Sequence, residues 1–182
     1  MNRLQRAAVL LTLLDALKQR GSWCGETHLQ KSVYILQELL GVQLGFTFVL
    51  YRHGPYSFDL SDEITALQAD MLLTVQPRLP YGPSLAPSES ADRLLSNFER
   101  TRRLYRPAIE FVSDRLAGCK VVDLERLATA LYVTRESAPC RDIGARASRL
   151  HELKPHIAIA EAVRAINDVD AMIREVDAFR GP

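Results

Sequence analysis

The run His53-Gly54-Pro55-Tyr56 sets an imidazole, a group that titrates near neutrality, beside a constrained turn where acid–base chemistry is conceivable. No nucleophile or second base stands at a spacing that would support it. The run is therefore read as a structural turn, with Gly54 supplying unusual backbone angles and Tyr56 packing beneath the hairpin that follows. Cys24 and His28 have the four-residue offset of two metal ligands on one helical face. Gly25 and Glu26 mark the start of that helix, however, which leaves Cys24 outside it, and two ligands without two more do not make a metal site. There is no P-loop and no dinucleotide fingerprint either. The expectation is a protein that is not an enzyme, with no catalytic residue, no metal and no cofactor.

Two charged constellations carry more. From Ser57 to Asp70 the chain has the acids Asp59, Asp62, Glu63 and Asp70 and no Lys or Arg. A helix that enters the major groove is surrounded by phosphates and reads base edges with Arg, Lys, Asn or Gln, so each of these carboxylates would meet repulsion there. Acid on that face suits a basic protein partner, or mimicry of DNA toward a nucleic-acid groove. The plainer account is that Asp59, Asp62 and Glu63 complement the positive end of their own helix. The second constellation is ERTRRLYRP, in which Arg100, Arg102, Arg103 and Arg106 crowd two helical turns. Arg102, Arg103 and Arg106 share a face, with Arg93 and Tyr105 near it. Bidentate contacts from such a face suit a phosphate backbone or an acidic patch on another chain, and the plainer account is a solvated face.

The elements that must position these residues follow from composition and periodicity. A length of 182 residues accommodates one well-buried core, and 47% apolar with 25% charged residues is globular composition. Lys and Arg number 23 against 22 Asp and Glu, so no overall field draws the molecule to nucleic acid or an anionic membrane, and any electrostatic function is local. Three widely spaced cysteines, Cys24, Cys119 and Cys140, suit a reducing cytosol. The N-terminal run AAVLLTLL is closed early by Asp15 and is too short for a membrane span, so it reads as a buried helix of a cytoplasmic protein.

Leu4, Ala7, Ala8, Leu11, Leu14 and Leu17 have helical spacing, and Leu29, Val33, Leu36 and Leu40 repeat it after Gly21. Trp23, in the connector, is expected over the gap between these two helices. GFTFVLYRHGPYS reads as a short strand entering a tight turn, and Ser57 as the cap of a third helix buried through Leu60, Ile64 and Leu67. MLLTVQPRL then reads as a strand and PYGPSLAPSES as a mobile loop at the tip of a β-hairpin. Helix, helix, strand, helix, hairpin is the order of a winged helix. The spacing next predicts one long helix from Leu94 to Gly118, a brief strand-like Val121-Val122, a helix over DLERLATALYVTRE, and a last helix after Pro155. The last of these carries Ile159, Ala162, Ile166, Val169, Ile173 and Val176 as a heptad seam that docks on its own domain or forms a dimer contact. Lys154-Pro155-His156 is read as a hinge. The fold class is thus mainly α with a small β-hairpin: a winged helix-turn-helix core over 1–92, its wing loop near 78–90, and a helical C-terminal extension over 93–182 packed on it as one compact domain.

Leu29, Gln30, Lys31, Tyr34, Tyr51, Gly54, Pro55, Tyr56, Ser57 and Glu63 together form a leucine-glutamine-lysine helix, a tyrosine-x-glycine-proline-tyrosine-serine turn and an acidic helix. In kind and spacing they resemble the YwgA-like winged-helix family, related to the Panacea (SocA-like) antitoxin domain, over Leu4 to about Ile166. The resemblance implies the winged-helix fold, and an antitoxin-like or regulatory protein that inhibits a partner protein, such as a toxin, by direct binding. The expected partner surface is Tyr51, His53, Tyr56, Asp59, Asp62 and Glu63, on a monomer or homodimer with no membrane role. The alternative is a transcriptional regulator that contacts DNA through the wing and the Arg100, Arg102, Arg103, Arg106 helix.

Overall fold

A computed structural model describes residues 1–78, 81–136 and 142–180. Among them are eight helices and two antiparallel two-stranded sheets. Helix α1 (Arg3–Gln19) starts at a reciprocal capping box between Asn2 and Gln5 and ends where Gly21 turns left-handed at φ +84°. All seven leucines, valines and alanines between Ala7 and Leu14 are buried, so it is an interior helix, while Leu4 stays exposed. Helix α2 (Glu26–Glu38) is buried without a break from His28 to Leu36. The leucine stripe expected there understates it, because Gln30, Lys31 and Ser32 are as deeply buried as Leu29 and Val33.

The segment after α2 folds into a tight hairpin of β1 (Val49–Tyr51) and β2 (Gly54–Tyr56), paired Val49 to Tyr56 and Tyr51 to Gly54. Helix α3 (Phe58–Ala69) follows at once, capped by Ser57 Oγ accepting from Leu60 N–H at 3.3 Å. The second hairpin joins β3 (Leu73–Arg78) to β4 (Tyr81–Pro87). Most of the segment expected to be a mobile loop near 78–90 is therefore strand, because ladder pairing to β3 satisfies its backbone despite two prolines. Residues 79 and 80, at the tip, lie outside the described residues.

The connector between α1 and α2 runs beside β4: Leu85 N–H donates to the Cys24 carbonyl at 2.9 Å and Ser84 Oγ to the Trp23 carbonyl at 2.8 Å. Trp23 Nε1–H also reaches the Gly82 carbonyl at 3.1 Å, so the tryptophan is tied to the hairpin rather than laid over the first two helices.

The single long helix expected next is two helices, α4 (Ala91–Asn97) and α5 (Glu99–Leu116), broken at Phe98. Val121 and Val122, expected as a brief strand, form the first turn of α6 (Val121–Glu136). Helices α7 (Ile143–Leu153) and α8 (Ile159–Arg180) complete the described chain; α8 packs on α6 and α7 and buries Ala162, Ile166, Val169 and Val176, while Ile159 of the expected seam stays exposed. One contiguous apolar cluster runs from Ala7 to Val176 and crosses the boundary expected near 92, with α5 packed along α1. Among the described residues no helix is long and apolar enough to cross a membrane.

Candidate functional site

The β1–β2 hairpin and the start of α3 form one face, and the residues beneath explain why the sequence folds this way there. Gln30 grips Ser57 twice, its Nε2–H donating to the Ser57 carbonyl and its Oε1 accepting the Ser57 N–H, both at 2.9 Å. Lys31 is 1% exposed, and its Nζ donates to the Pro55 carbonyl at 2.8 Å. Burial pulls that ammonium down to about 8, against the opposing pull of the Glu125 carboxylate. Gly54 sits at φ +82°, with the place of a Cβ only 2.8 Å from Thr129 Oγ1. The glutamine-lysine and glycine-proline pairs are therefore scaffolding: they lock the hairpin between α2 and α6.

Above that scaffold three rings meet. Tyr51 lies 5.8 Å from Tyr56 and 5.9 Å from Phe58, and Tyr56 lies 5.1 Å from Phe58 edge to face. Tyr51 is 50% exposed and Phe58 57%, with Val49 exposed beside them. Tyr56 thus packs with its neighbours on this face rather than beneath the β3–β4 hairpin. Its hydroxyl donates to Glu26 Oε1 at 3.1 Å, and partial burial holds its ionisation above the ordinary tyrosine range. Apolar groups gathered on a surface mark contact with something other than water.

Of the acids, Asp59 and Asp62 are exposed on this face and neither is paired with a cation among the described residues; the Thr47 N–H donates to Asp59 at 3.4 Å. Glu63 differs. It is 6% exposed, with Arg3 at 3.2 Å and Arg6 at 3.1 Å on its two oxygens, so it ties α3 to α1 and is unavailable to a partner. The correction has a simple cause: position 63 shares a helical face with the buried Leu60 and Leu67. His53 stands exposed in the turn, with Nδ1 3.6 Å from Glu125 Oε2.

Sequence reasoning missed Phe58, whose ring sits next to the Ser57 cap on the outward side of α3. It also missed Glu125, 5% exposed on α6, and Lys154, which reaches the hairpin from the end of α7. Glu125 gives no local signal, being a charged residue inside an ordinary helical stretch, and the Pro155 beside Lys154 signals only the end of a helix, not the distant contact of the side chain.

The arginines are not drawn into this face. Arg103 pairs with Glu99 at 2.9 Å and Arg106 with Glu110 at 2.8 Å along α5 itself. Arg102 turns inward, its Nε donating to Thr12 Oγ1 at 3.2 Å. Arg100 is exposed without an ion pair among the described residues. Among the described residues no group of three or more His, Cys, Asp or Glu side chains is arranged to hold a metal ion. No protein-family model matches the chain, and no curated protein matches it at a significant level.

Proposed function

We propose that this chain is an antitoxin-like or regulatory binding protein of the cytoplasm that inhibits a partner protein through the face of Tyr51, Tyr56, Phe58, Asp59 and Asp62. The observation that carries this reading is the aromatic triad with Tyr51 and Phe58 exposed, set on a buried scaffold and flanked by two carboxylates that no cation pairs among the described residues. Rigid aromatic anchors with an oppositely charged rim are what a protein interface needs, and the acids select a basic surface, such as the nucleic-acid groove of a toxin.

A winged-helix scaffold is part of the same proposal. Helix α1, a connector laid beside β4, helix α2, helix α3 and the β3–β4 hairpin follow that order, with the β1–β2 hairpin inserted between α2 and α3. The DNA-binding alternative has less support, since Arg103 and Arg106 are already matched by glutamates and Arg102 points inward.

The test is capture from the native host on the tagged full chain, beside a Tyr51→Ser/Phe58→Ser variant with wild-type stability. A stoichiometric protein held by the wild type is expected, with affinity for the variant lower by about 2 kcal/mol or more, roughly 30-fold in Kd. Recovery of nucleic acid alone, with affinity falling steeply as salt rises, would sink the proposal.

A further inference from the structure

The β1–β2 hairpin does not hold itself. A lone two-stranded hairpin is marginal in water, this one has three residues a strand, and Pro55 removes a ladder donor from its second strand. Its exit is fixed from α2 by Gln30 and Lys31. Its turn is fixed from elsewhere: the ammonium of Lys154 donates to the Tyr51 carbonyl and, at 2.5 Å, to the Arg52 carbonyl. No other described side chain reaches those two oxygens.

Lys154 caps the end of α7 one residue before Pro155, so its place is set by the junction of α7 and α8. Its side chain is buried, and Glu125 Oε1 lies 3.8 Å from Nζ. The same carboxylate has His156 Nε2 at 3.2 Å on one oxygen and His53 Nδ1 at 3.6 Å on the other. Lys154 pairs with the buried Glu125 carboxylate, Lys31 lies within its field, and each ammonium donates to hairpin backbone: Lys31 to the Pro55 carbonyl, Lys154 to those of Tyr51 and Arg52. Charge enclosed at this depth is costly, and the backbone carbonyls and the carboxylate that surround these ammoniums hold the turn in one geometry.

We infer that Lys154 is the positioning residue of the hairpin: it fixes the turn on which Tyr51 and His53 stand, and so makes α7 and α8 a working part of the recognition face. This deepens the partner-binding reading above and rests on it only for the name of the face. The segment Lys154-Pro155-His156 is then more than a hinge, because any shift of α7 against α8 moves the backbone under Tyr51.

The test uses the full chain and needs no partner. Lys154→Met keeps the aliphatic stem and removes donor and charge. Hydrogen exchange is expected to rise about 10-fold or more at the amides of residues 50–54, while α1 and the β3–β4 hairpin keep wild-type protection. Lys154→Arg restores most of the loss. A merely structural role would instead speed exchange in α6 and α8 as much as in the hairpin, and that pattern, or wild-type protection of residues 50–54 in a folded Lys154→Met protein, overturns the inference.

Should Lys154→Met fail to fold, the wild-type protein decides by NMR. Slowed exchange of the Lys154 ammonium protons and couplings across hydrogen bonds to the Tyr51 and Arg52 carbonyl carbons are expected. Exchange at the rate of a free lysine refutes it. Capture by the Tyr51→Ser/Phe58→Ser pair can fail while this latch holds, and the reverse, so the two readings are separable.

Discussion

His28 and Lys31 lie one helical turn apart inside α2, and both are bases whose charged forms burial disfavours. His28 is brought down to about 4 by burial, with the Leu116 carbonyl opposing. The unfolded chain therefore binds more protons than the folded one between the ordinary histidine value and about 4. Stability is full above roughly pH 6.5 and is lost as pH falls through about 4, by up to about 3 kcal/mol from this residue. Denaturant midpoints measured from pH 7 to 4 should fall accordingly, and His28→Gln should flatten that limb.

Lys31 acts on the alkaline side with the same sign, its contribution growing as pH rises from about 8 toward the ordinary lysine range. Gly54 is the other decisive single residue. Gly54→Ala adds a Cβ where Thr129 Oγ1 already stands and forces alanine into a left-handed backbone, at a cost of about 2 kcal/mol or more by chemical denaturation.

At the scale of elements, α3 depends on its cap. Ser57 both starts the helix and closes the grip of Gln30, so Ser57→Ala should cost about 1 kcal/mol and raise amide exchange in the first turn around Phe58. Its acids split by face: Glu63→Gln should lower the thermal midpoint because Arg3 and Arg6 lose their shared carboxylate, whereas Asp62→Asn should leave stability within about 0.5 kcal/mol and weaken partner capture. The β1–β2 hairpin is the element least able to stand alone, and it is the one that bears the exposed rings. Its order is therefore supplied from α2, α6 and α7.

For the molecule as a whole, the apolar cluster joins the first helix to the last, so the C-terminal helices unfold with the rest. Ile166 is fully buried on α8, and Ile166→Ala should cost about 2–5 kcal/mol while keeping one coincident transition by circular dichroism and fluorescence. Two separated transitions would show instead that α7 and α8 form an independent unit.

The sequence by itself determined what local chemistry decides. Gly21 ended the first helix, Ser57 capped the third, Gly54 marked the turn, and the heptad seam of α8 named Ala162, Ile166, Val169 and Val176 among the residues it buries, though it also named Ile159, which is exposed. These follow from backbone sterics, capping and periodicity, which act within a few residues. The tertiary structure alone decided which charges are surface and which are interior. Glu63, Gln30, Lys31, Glu125 and Lys154 look like ordinary polar positions in the chain, and only packing against distant partners takes them out of water. The same holds for the strand over 81–87, where pairing with β3 satisfied backbone groups that local propensity would have left to solvent.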